Sequence, residues 1–372
     1  MLKSALQVLV TAAALCMPLQ AMAAEPVLIG MNTPVTGASA GEAVYFMKAA
    51  KLAEKHANAA GVNIKLIIQD NQSTNPGALQ ALNKSIEQDK VFALLGPIKS
   101  TQVLAISDRV KQAEIPTLIG GTNVNLTHQG NTWFYRCRPD DSIVVHVMLK
   151  YIKEDMKLNK VGVLHDADAF GTGGADLVGE LAPKYGITVV KREKYTTKDK
   201  DYTAQLLSLK AAGTEVMIHY GTNVEDVAVC QRQFRQLGLP YKYLGSPSSA
   251  VKDTLALSGK AAEGVMAVAD AMPNGTQEYR DYAEAYMKEY GEEMDAWAAW
   301  NYDALMILAK AIKEVGPDRA KVREAILGLR DYQGVLGAYS FTANGDGRHS
   351  ACIVEVKDGQ PTLKKVVNVA AE

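Results

Sequence analysis

The fold is decided by residues 91–122, which read VFALLGPIKSTQVLAISDRVKQAEIPTLIGGT. Within this stretch the apolar run Val91–Leu95 predicts a buried strand, the helical periodicity of residues 101–113 predicts a helix, and Pro116–Ile119 predicts another strand. Two short strands joined by a helix indicate a right-handed crossover between parallel neighbours in one sheet. The stretch therefore predicts an α/β protein.

The same alternation continues on the N-terminal side of this stretch. Strands are predicted at Val27–Met31 and Asn63–Gln69, with a helix over Tyr45–Ala60 between them. A further helix is predicted to begin with Asn75 as N-cap and Pro76 at its first position. Asparagine accepts backbone N–H bonds, and proline lacks a hydrogen that would be unpaired there.

A second series of strands and helices begins at Ser142. Its predicted strands are Lys160–His165, Ile187–Lys191, Glu215–Tyr220, Lys242–Leu244 and Gly264–Val268. After Asp270 the pattern changes to three successive helices, followed by an antiparallel pair of strands that turns at Asp358-Gly359. Two series of similar length predict two similar lobes, each a parallel-type sheet flanked by helices.

The first 24 residues carry the features of an export signal. Lys3 supplies a positive charge, Leu6–Leu15 is apolar, and Ala21-Met22-Ala23 is a small-x-small cleavage motif. An uncleaved membrane anchor is the alternative, but the apolar stretch is too short to span a bilayer comfortably. The pattern predicts an exported protein that is cleaved near Ala23 or Ala24.

Length, charge and cysteine content limit the classes of protein to which this chain can belong. Removing 24 of the 372 residues leaves 348, enough for two domains of ordinary size. Without Lys3 the chain has 39 basic and 41 acidic residues, so its net charge falls from −1 to −2. This near-neutral balance gives no electrostatic reason to expect nucleic acid or an anionic membrane as a partner. Cys137, Cys230 and Cys352 can form at most one disulfide.

The sequence lacks the local motifs of common catalytic and cofactor sites. It has no Walker loop and no GxGxxG after a strand, and its histidines never fall at the i, i+4 spacing of a zinc-binding helix. The segment Gly245-Ser246-Pro247-Ser248 lacks the glycine that a nucleophile elbow needs two residues after its serine. We therefore expect no cofactor, no metal and no catalysis. An exported enzyme remains an alternative, because triads assemble from distant residues.

Two segments in the first series follow the carboxyl ends of predicted strands, where ligands bind in open parallel sheets. Ser100 and Thr101 open a helix, whose free backbone N–H groups and positive dipole end suit a carboxylate. Gly120, Gly121 and Thr122 follow the next strand, and glycines let a ligand approach the backbone closely. The alternatives are an ordinary N-cap serine and a plain turn.

The second series offers three corresponding segments after its own strands. Phe170 follows the first of these strands, Tyr220 and Asn223 end and follow another, and Ser246 and Pro247 follow a third. Each residue taken alone is more typical of a core or a turn. Their joint placement at strand ends predicts the second wall of a ligand cleft.

Taken in order, the motifs resemble those of the periplasmic solute-binding proteins of ABC importers, in the leucine/isoleucine/valine-binding branch with the type I two-lobed fold. The resemblance covers essentially the whole mature chain. The motifs that carry it are Leu95-Gly96-Pro97 with Ser100-Thr101, Ile115–Ile119 with Thr122, Val163–Asp166 with Phe170-Gly171, Gln231-Arg232-Gln233, and Tyr302-Asp303-Ala304.

The resemblance implies a chain that crosses between the lobes three times, through a three-segment hinge. The implied lobes are residues 25–141 with 270–340, and residues 142–269 with 341–372. Ligand would sit in the cleft, with its carboxylate held by Ser100, Thr101, Gly120 and Thr122 and an aromatic contact from Phe170. The resemblance further implies a monomer in the periplasm whose partners are a small molecule and an ABC permease of the inner membrane.

Two departures from that family's pattern bear on the ligand. Amino-acid binders hold the ammonium with an acidic residue just after the Gly245 strand, where this chain has Pro247 between two serines. A family aromatic in the first-strand loop is replaced by Ala40-Gly41. A buried ammonium without a partner is costly, so we expect an aromatic acid, a keto acid or an amide. Amino-acid binding through Asp166 or Asp168 is the close alternative, and a ligand-sensing module is another.

Overall fold

A computed structural model describes residues 25–348 and 350–368, which form two sheets of six and seven strands with helices packed around them. The predicted export signal at residues 1–24 lies outside the described residues. The two main sheets agree with the α/β class expected from the alternating pattern.

The first sheet has the strand order β13-β5-β4-β3-β1-β2, and all of its pairings are parallel. Its strands are β1 (Val27–Thr33), β2 (Ile64–Asp70), β3 (Ala93–Leu95), β4 (Thr117–Ile119), β5 (Phe134–Pro139) and β13 (Asp346–Arg348). Its helices are α1 (Ala40–Ala59), α2 (Asn75–Glu87), α3 (Ser100–Ala113), α4 (Asn125–His128), α10 (Gln277–Tyr290), α11 (Trp300–Val315) and α12 (Arg319–Leu327).

The second sheet has the order β15-β14-β10-β9-β8-β6-β7, with β14 antiparallel to both of its neighbours. Its strands are β6 (Lys160–Asp166), β7 (Thr188–Tyr195), β8 (Val216–Tyr220), β9 (Lys242–Gly245), β10 (Met266–Ala269), β14 (Ser350–Lys357) and β15 (Gln360–Asn368). Its helices are α5 (Asp141–Tyr151), α6 (Ala169–Leu181), α7 (Thr203–Ala211), α8 (Val224–Gln236) and α9 (Lys252–Ser258). A short ribbon pairs β11 (Tyr332–Gly334) with β12 (Gly337–Tyr339).

The central strands are buried and mostly apolar because helices cover both faces of each sheet, as expected for parallel sheets. All of β3, β4 and β8 is buried. Helix α11 packs along α1, and its buried Trp300 contributes to the largest apolar cluster. These rigid layers fix where the loops at the strand ends lie.

The start of α2 differs from the expectation that Asn75 would be its N-cap. Asn75 is the first helical residue, and the N-cap is Thr74, whose Oγ1 accepts a hydrogen bond from the Gly77 N–H at 3.0 Å. Pro76 lies in the first turn as expected. Threonine in extended conformation supplies the capping oxygen one residue earlier than the Asn-Pro pair suggested.

The third change of sheet also lies later than the expected boundary at residue 341. Strand β13 pairs with β5 in the first sheet, and the Arg136 guanidinium Nε bonds to the Asp346 carboxylate at 2.8 Å. The expected second-lobe segment 341–372 was therefore wrong at its start, since the chain leaves the first sheet only after Arg348. A three-residue strand with a glycine at its centre gave no strand pattern in the sequence.

The three segments that pass between the sheets meet at one buried residue, Asp270. Arg138 in β5 bonds through Nε to Asp270 Oδ2 at 2.5 Å, just after β10. Arg348, at the end of β13, donates from Nη2 to the backbone oxygen of Asp270 at 3.0 Å. All three residues are at most 5% exposed. Each crossing segment is thus tied to the others by a hydrogen bond that carries charge.

Helix α6 packs on β8 where Gly174 faces the ring of Tyr220. A Cβ at position 174 would lie 2.2 Å from that ring, whereas a Cβ at Gly179 on the same helix would meet nothing within 4 Å. We predict that Gly174→Ala lowers the free energy of unfolding by about 1–3 kcal/mol through overpacking. Urea unfolding followed by circular dichroism measures the change.

The matched control is Gly179→Ala, which we expect to raise the free energy of unfolding by up to about 1 kcal/mol, because alanine favours an exposed helix position over glycine. Equal shifts in the two variants would contradict the close packing of α6 against β8.

Candidate functional site

The loops at the carboxyl ends of the two sets of strands face each other across a closed cleft. Its cavity has a volume of about 30 Å³, enough for one or two water molecules. The first sheet and its helices supply six lining residues and the second sheet supplies four: Ile98, Lys99, Ser100, Thr122, Arg138 and Trp297, and then Phe170, Thr222, Pro247 and Ser248.

Four of the residues predicted from the sequence line this cavity, namely Ser100, Thr122, Phe170 and Pro247. They come from α3, the turn after β4, the start of α6 and the turn after β9, so the structure brings both series of strand ends together. Thr101, Gly120, Gly121, Tyr220, Asn223 and Ser246 lie outside the lining.

The glycines after β4 are required by packing rather than by a ligand. The Gly120 N–H donates to the Pro97 backbone oxygen at 3.1 Å, so it is already paired. A Cβ on Gly120 would lie 2.6 Å from the ring of Trp300, and one on Gly121 would lie 2.8 Å from Leu126. We expected these glycines to let a ligand approach the backbone. Close packing against neighbouring side chains is a simpler reason for their presence.

The other predicted residues lie in the elements that carry the lining residues. The Tyr220 ring is fully buried, lies 5.0 Å from the Phe170 ring and donates through its hydroxyl to Asp141 at 3.3 Å. Ser246 Oγ donates to the backbone oxygen of Gly221 at 3.2 Å. Asn223 is the N-cap residue of α8, and Thr101 is the second residue of α3.

Lys99 is a lining cation that sequence reasoning missed. Its ammonium lies 3.2 Å from Glu42 Oε2 on α1, and burial raises the pKa of that carboxyl. The same ammonium donates to the backbone oxygen of Thr222 at 3.2 Å, across the cleft. Lys99 therefore joins both sides of the cleft and places a positive charge at its wall.

Arg138 is the second lining cation. Besides Asp270 it binds the Gly120 oxygen through Nη1 at 2.8 Å, and its guanidinium carbon lies 5.5 Å from the centre of the Trp297 ring. Within the described part of the chain its Nη2 makes no hydrogen bond. The Thr122 hydroxyl and the Trp297 indole N–H are buried and lack a well-formed hydrogen bond, although the Thr122 hydroxyl interacts with the Asp141 carboxyl. The cleft thus offers cations and spare donors, which suit an anionic group.

Carboxylates are missing from the lining among the residues that the structure describes. Asp168 caps α6 by accepting from the Gly171 N–H at 2.8 Å, and Asp166 accepts from Thr197 Oγ1 at 2.7 Å. The amino-acid alternative needs one of these acids on the cavity wall, and neither lies there.

Asp141 is a buried acid next to the lining. Its backbone N–H donates to the Thr122 backbone oxygen at 2.9 Å, and its Oδ2 lacks a well-formed hydrogen bond. Burial raises the pKa of its carboxyl to about 7.

Hydrogen bonds across the cleft hold the two sides together. The Asn123 amide donates to the Ala169 oxygen at 2.8 Å, and the Lys252 backbone N–H donates to Asp295 at 3.2 Å. With the bond from Lys99 to Thr222, these contacts flank the cavity. The structure is therefore in a closed state.

Other kinds of site find little support in the described residues. None of their helices combines the length and apolarity needed to cross a membrane. They contain no group of three or more histidine, cysteine, aspartate or glutamate side chains placed to hold a metal ion. The thiols of Cys137, Cys230 and Cys352 are free and buried.

The model of the periplasmic binding protein family matches residues 26–361. The chain belongs to the periplasmic binding protein family. A Pseudomonas aeruginosa relative named amino acid binding protein is 30% identical over 357 residues, covering 93% of this chain and 94% of the relative. A second relative from that organism, named for leucine, isoleucine, valine, threonine and alanine binding, is 26% identical over 331 residues, 87% of this chain and 88% of its own.

Solved structures of this family have the same fold. A leucine binding protein from Thermotoga maritima superposes with a TM-score of 0.85 at 24% identity, covering 92% of this chain and 99% of its own. A solute binding protein from R. palustris, in complex with benzoate, also has a TM-score of 0.85, at 16% identity and 93% and 98% coverage. The predicted type I fold is confirmed, and this periplasmic binding protein is a solute-binding receptor of the ABC-transporter type.

The buried carboxyl of Asp141 generates a pH prediction. Its pKa rises from 3.8 to about 7 on folding, so the folded state holds the proton more tightly than the unfolded state. The stability that Asp141 contributes is complete below about pH 4 and is lost as the pH rises to about 7. Asparagine mimics the protonated acid, so Asp141→Asn should match the native protein near pH 4 and exceed its stability by a few kcal/mol, at most about 4, above pH 7.

Thermal and urea unfolding of both proteins from pH 4 to pH 8 measure this difference. A stability difference that does not change with pH would show that Asp141 titrates normally in the folded protein.

Proposed function

We propose that this receptor closes on a small carboxylate-bearing solute that has no obligatory α-amine, such as an aromatic acid or a keto acid, and delivers it to an ABC permease of the inner membrane. The observation that carries the proposal is the charge pattern of the cleft. Lys99 and Arg138 line the cavity, and no carboxylate does so among the described residues.

The energetics of burial favour an anionic ligand here. A ligand carboxylate would gain charge-assisted hydrogen bonds from Arg138 and from the Thr122 hydroxyl, whose interaction with Asp141 is not a well-formed hydrogen bond. A ligand ammonium would be buried between two cations without an acidic partner in the lining, which is costly. Solved relatives bound to benzoate and, in Rhodopseudomonas palustris BisB5, to 3,4-dihydroxy benzoic acid show that the fold accommodates acids of this kind.

Amino-acid binding is the second candidate, favoured by two observations. One is the 30% identical relative named amino acid binding protein. The other is the unpaired Oδ2 of Asp141, directly behind Thr122, which offers an acidic partner to an ammonium if the cleft rearranges. The two candidates therefore differ in whether an α-amine helps or hinders binding.

The transport role rests on family membership, and the alternatives predict different behaviour. A transport receptor binds its solute one to one and releases it unchanged, whereas an exported enzyme would turn it over. A sensing module shares the fold and would lie in the genome beside a kinase or regulator rather than beside permease and ATPase genes. We propose a periplasmic, monomeric receptor.

A matched pair of ligands tests the proposed solute class. Leucine and 4-methyl-2-oxopentanoate have the same carboxylate and side chain and differ only at the α-position. Isothermal titration of the mature protein with both, and with benzoate, should show binding of the keto acid or benzoate but not of leucine. Tight leucine binding would overturn the proposed class in favour of amino acids.

The hydroxyl of Thr122 generates a further prediction. Because a hydrogen bond to a charged group contributes about 1.5–3 kcal/mol, Thr122→Val should raise the Kd for the bound carboxylate roughly 10- to 100-fold. Valine keeps the shape of threonine, so thermal unfolding of the free protein should change little. Titration of both proteins with whichever of the three acids binds the native protein measures the effect.

The matched control is Thr101→Val, one helical position beyond Ser100 and outside the cavity lining. We expect this variant to bind as the native protein does. A larger loss of affinity from Thr101→Val than from Thr122→Val would place the carboxylate on the helix N-terminus instead.

A further inference from the structure

A second and much larger cavity adjoins the closed cleft. We call it the side chamber. It has a volume of about 680 Å³ and is bounded by α9, β10, α10, the segment 293–297 and the turn between β14 and β15. Its walls therefore come from both sides of the cleft, next to the second crossing segment at Asp270.

The side chamber adjoins the cleft cavity at two shared lining residues. Pro247 and Trp297 line both cavities. The Trp297 indole lies over the Arg138 guanidinium on the cleft side and packs edge-on against Phe46, with ring centres 5.2 Å apart. These two side chains form the partition between a polar compartment and the side chamber.

The walls of the side chamber are largely apolar. They include Ala256 and Leu255 on α9 and Ala283 and Met287 on α10. Met287 is 44% exposed, although long apolar side chains usually pack. Two carboxylates in the wall have partners: Asp295 accepts from the backbone N–H groups of residues 252, 297 and 298, and Asp270 Oδ2 accepts from Arg138. Asp270 Oδ1 makes no hydrogen bond among the described residues. The chamber therefore suits an uncharged apolar group.

The two volumes assign different parts of a ligand to the two cavities. The cleft cavity of about 30 Å³ has room for little more than a carboxylate. The side chamber of about 680 Å³ falls within the range of roughly 300–1,000 Å³ that small-molecule sites occupy. A benzene ring or a chain of several methylene groups fits only in the chamber while the lobes stay closed.

We propose that the side chamber is the subsite for the apolar body of the ligand, whose carboxylate lies in the cleft between Lys99 and Arg138. The ligand class is then an elongated amphipathic carboxylate, either a medium-chain alkanoate or an arylalkanoate. This inference rests on the proposed function and adds where the rest of the solute goes. The ligand passes the Pro247–Trp297 partition, so its two ends contact both lobes.

A chain-length series on the native mature protein tests the proposal. Butanoate, hexanoate, octanoate and 3-phenylpropanoate share one carboxylate and differ in their apolar bodies. We expect the Kd from isothermal titration to fall by up to about fourfold for each added methylene group until the chamber is full. Octanoate that binds no more tightly than butanoate would overturn the inference and leave the proposed function standing.

Filling the side chamber gives the matched test. Ala256→Phe and Ala283→Phe, singly and together, place rings in the chamber from α9 and α10. We expect them to abolish the gain for octanoate while butanoate binds as before. The control is Ala211→Phe at the exposed end of α7, which should keep the native length series.

The other possible results also support or overturn the side-chamber subsite. An unchanged length series in the filled variants, or an equal loss for short and long acids, would overturn the side-chamber subsite. If no carboxylate binds the native protein, the proposed function fails and the subsite fails with it. Should the filled variants not fold, the length series on the native protein still supports or overturns the subsite.

Discussion

The interaction on which the rest of the structure depends is the buried ion pair between Arg138 and Asp270. It joins two of the three segments that pass between the sheets, and Arg348 joins the third through the Asp270 backbone oxygen. Removing one partner of a buried pair leaves an uncompensated charge, which costs about 3–5 kcal/mol. The crossing segments are therefore held in one arrangement at this point. Because Arg138 also lines the cleft, the hinge and the ligand site share a side chain.

A second constraint comes from two tryptophans, Trp300 at the start of α11 and Trp297 in the turn before it. Trp300 packs against the turn after β4 so closely that residue 120 must be glycine, and Trp297 covers the Arg138 guanidinium. Residues 297–300 thus fix the position of the backbone beside Thr122. They also cover one face of the Arg138 guanidinium, which leaves the rest of that cation to the cleft. Trp297 is also part of the partition to the side chamber. Packing in the first lobe therefore decides both the chemistry of the cleft and its size.

Local pattern predicted the elements well and the site only in part. Most strands and helices were found because each has its own periodicity, and the rule that ligands bind beyond strand ends located Ser100, Thr122, Phe170 and Pro247. Lys99 and Arg138 were missed because their partners are distant in sequence: Thr222 lies 123 residues from Lys99, and Asp270 lies 132 residues from Arg138. Strand β13 was missed for the same reason, since its partner β5 is some 200 residues away. The turn glycines were found, but neighbouring side chains in the folded protein, Trp300 for Gly120 and Leu126 for Gly121, explain them better than a ligand does.

The charges around the cleft are already balanced without a ligand, and this shapes what the cleft can select. Lys99 is paired with Glu42 and Arg138 with Asp270, and both acids lie outside the cleft lining. A bound carboxylate therefore does not cancel an isolated charge. It instead accepts hydrogen bonds from donor groups that are already fixed in place, so binding requires little ordering of side chains. Burial also keeps the nearby Asp141 largely protonated below neutral pH, which spares the ligand a repelling neighbour. On the proposed function, the cleft would favour an anion by the direction of its donors more than by net charge, and the apolar body of the ligand would set the affinity.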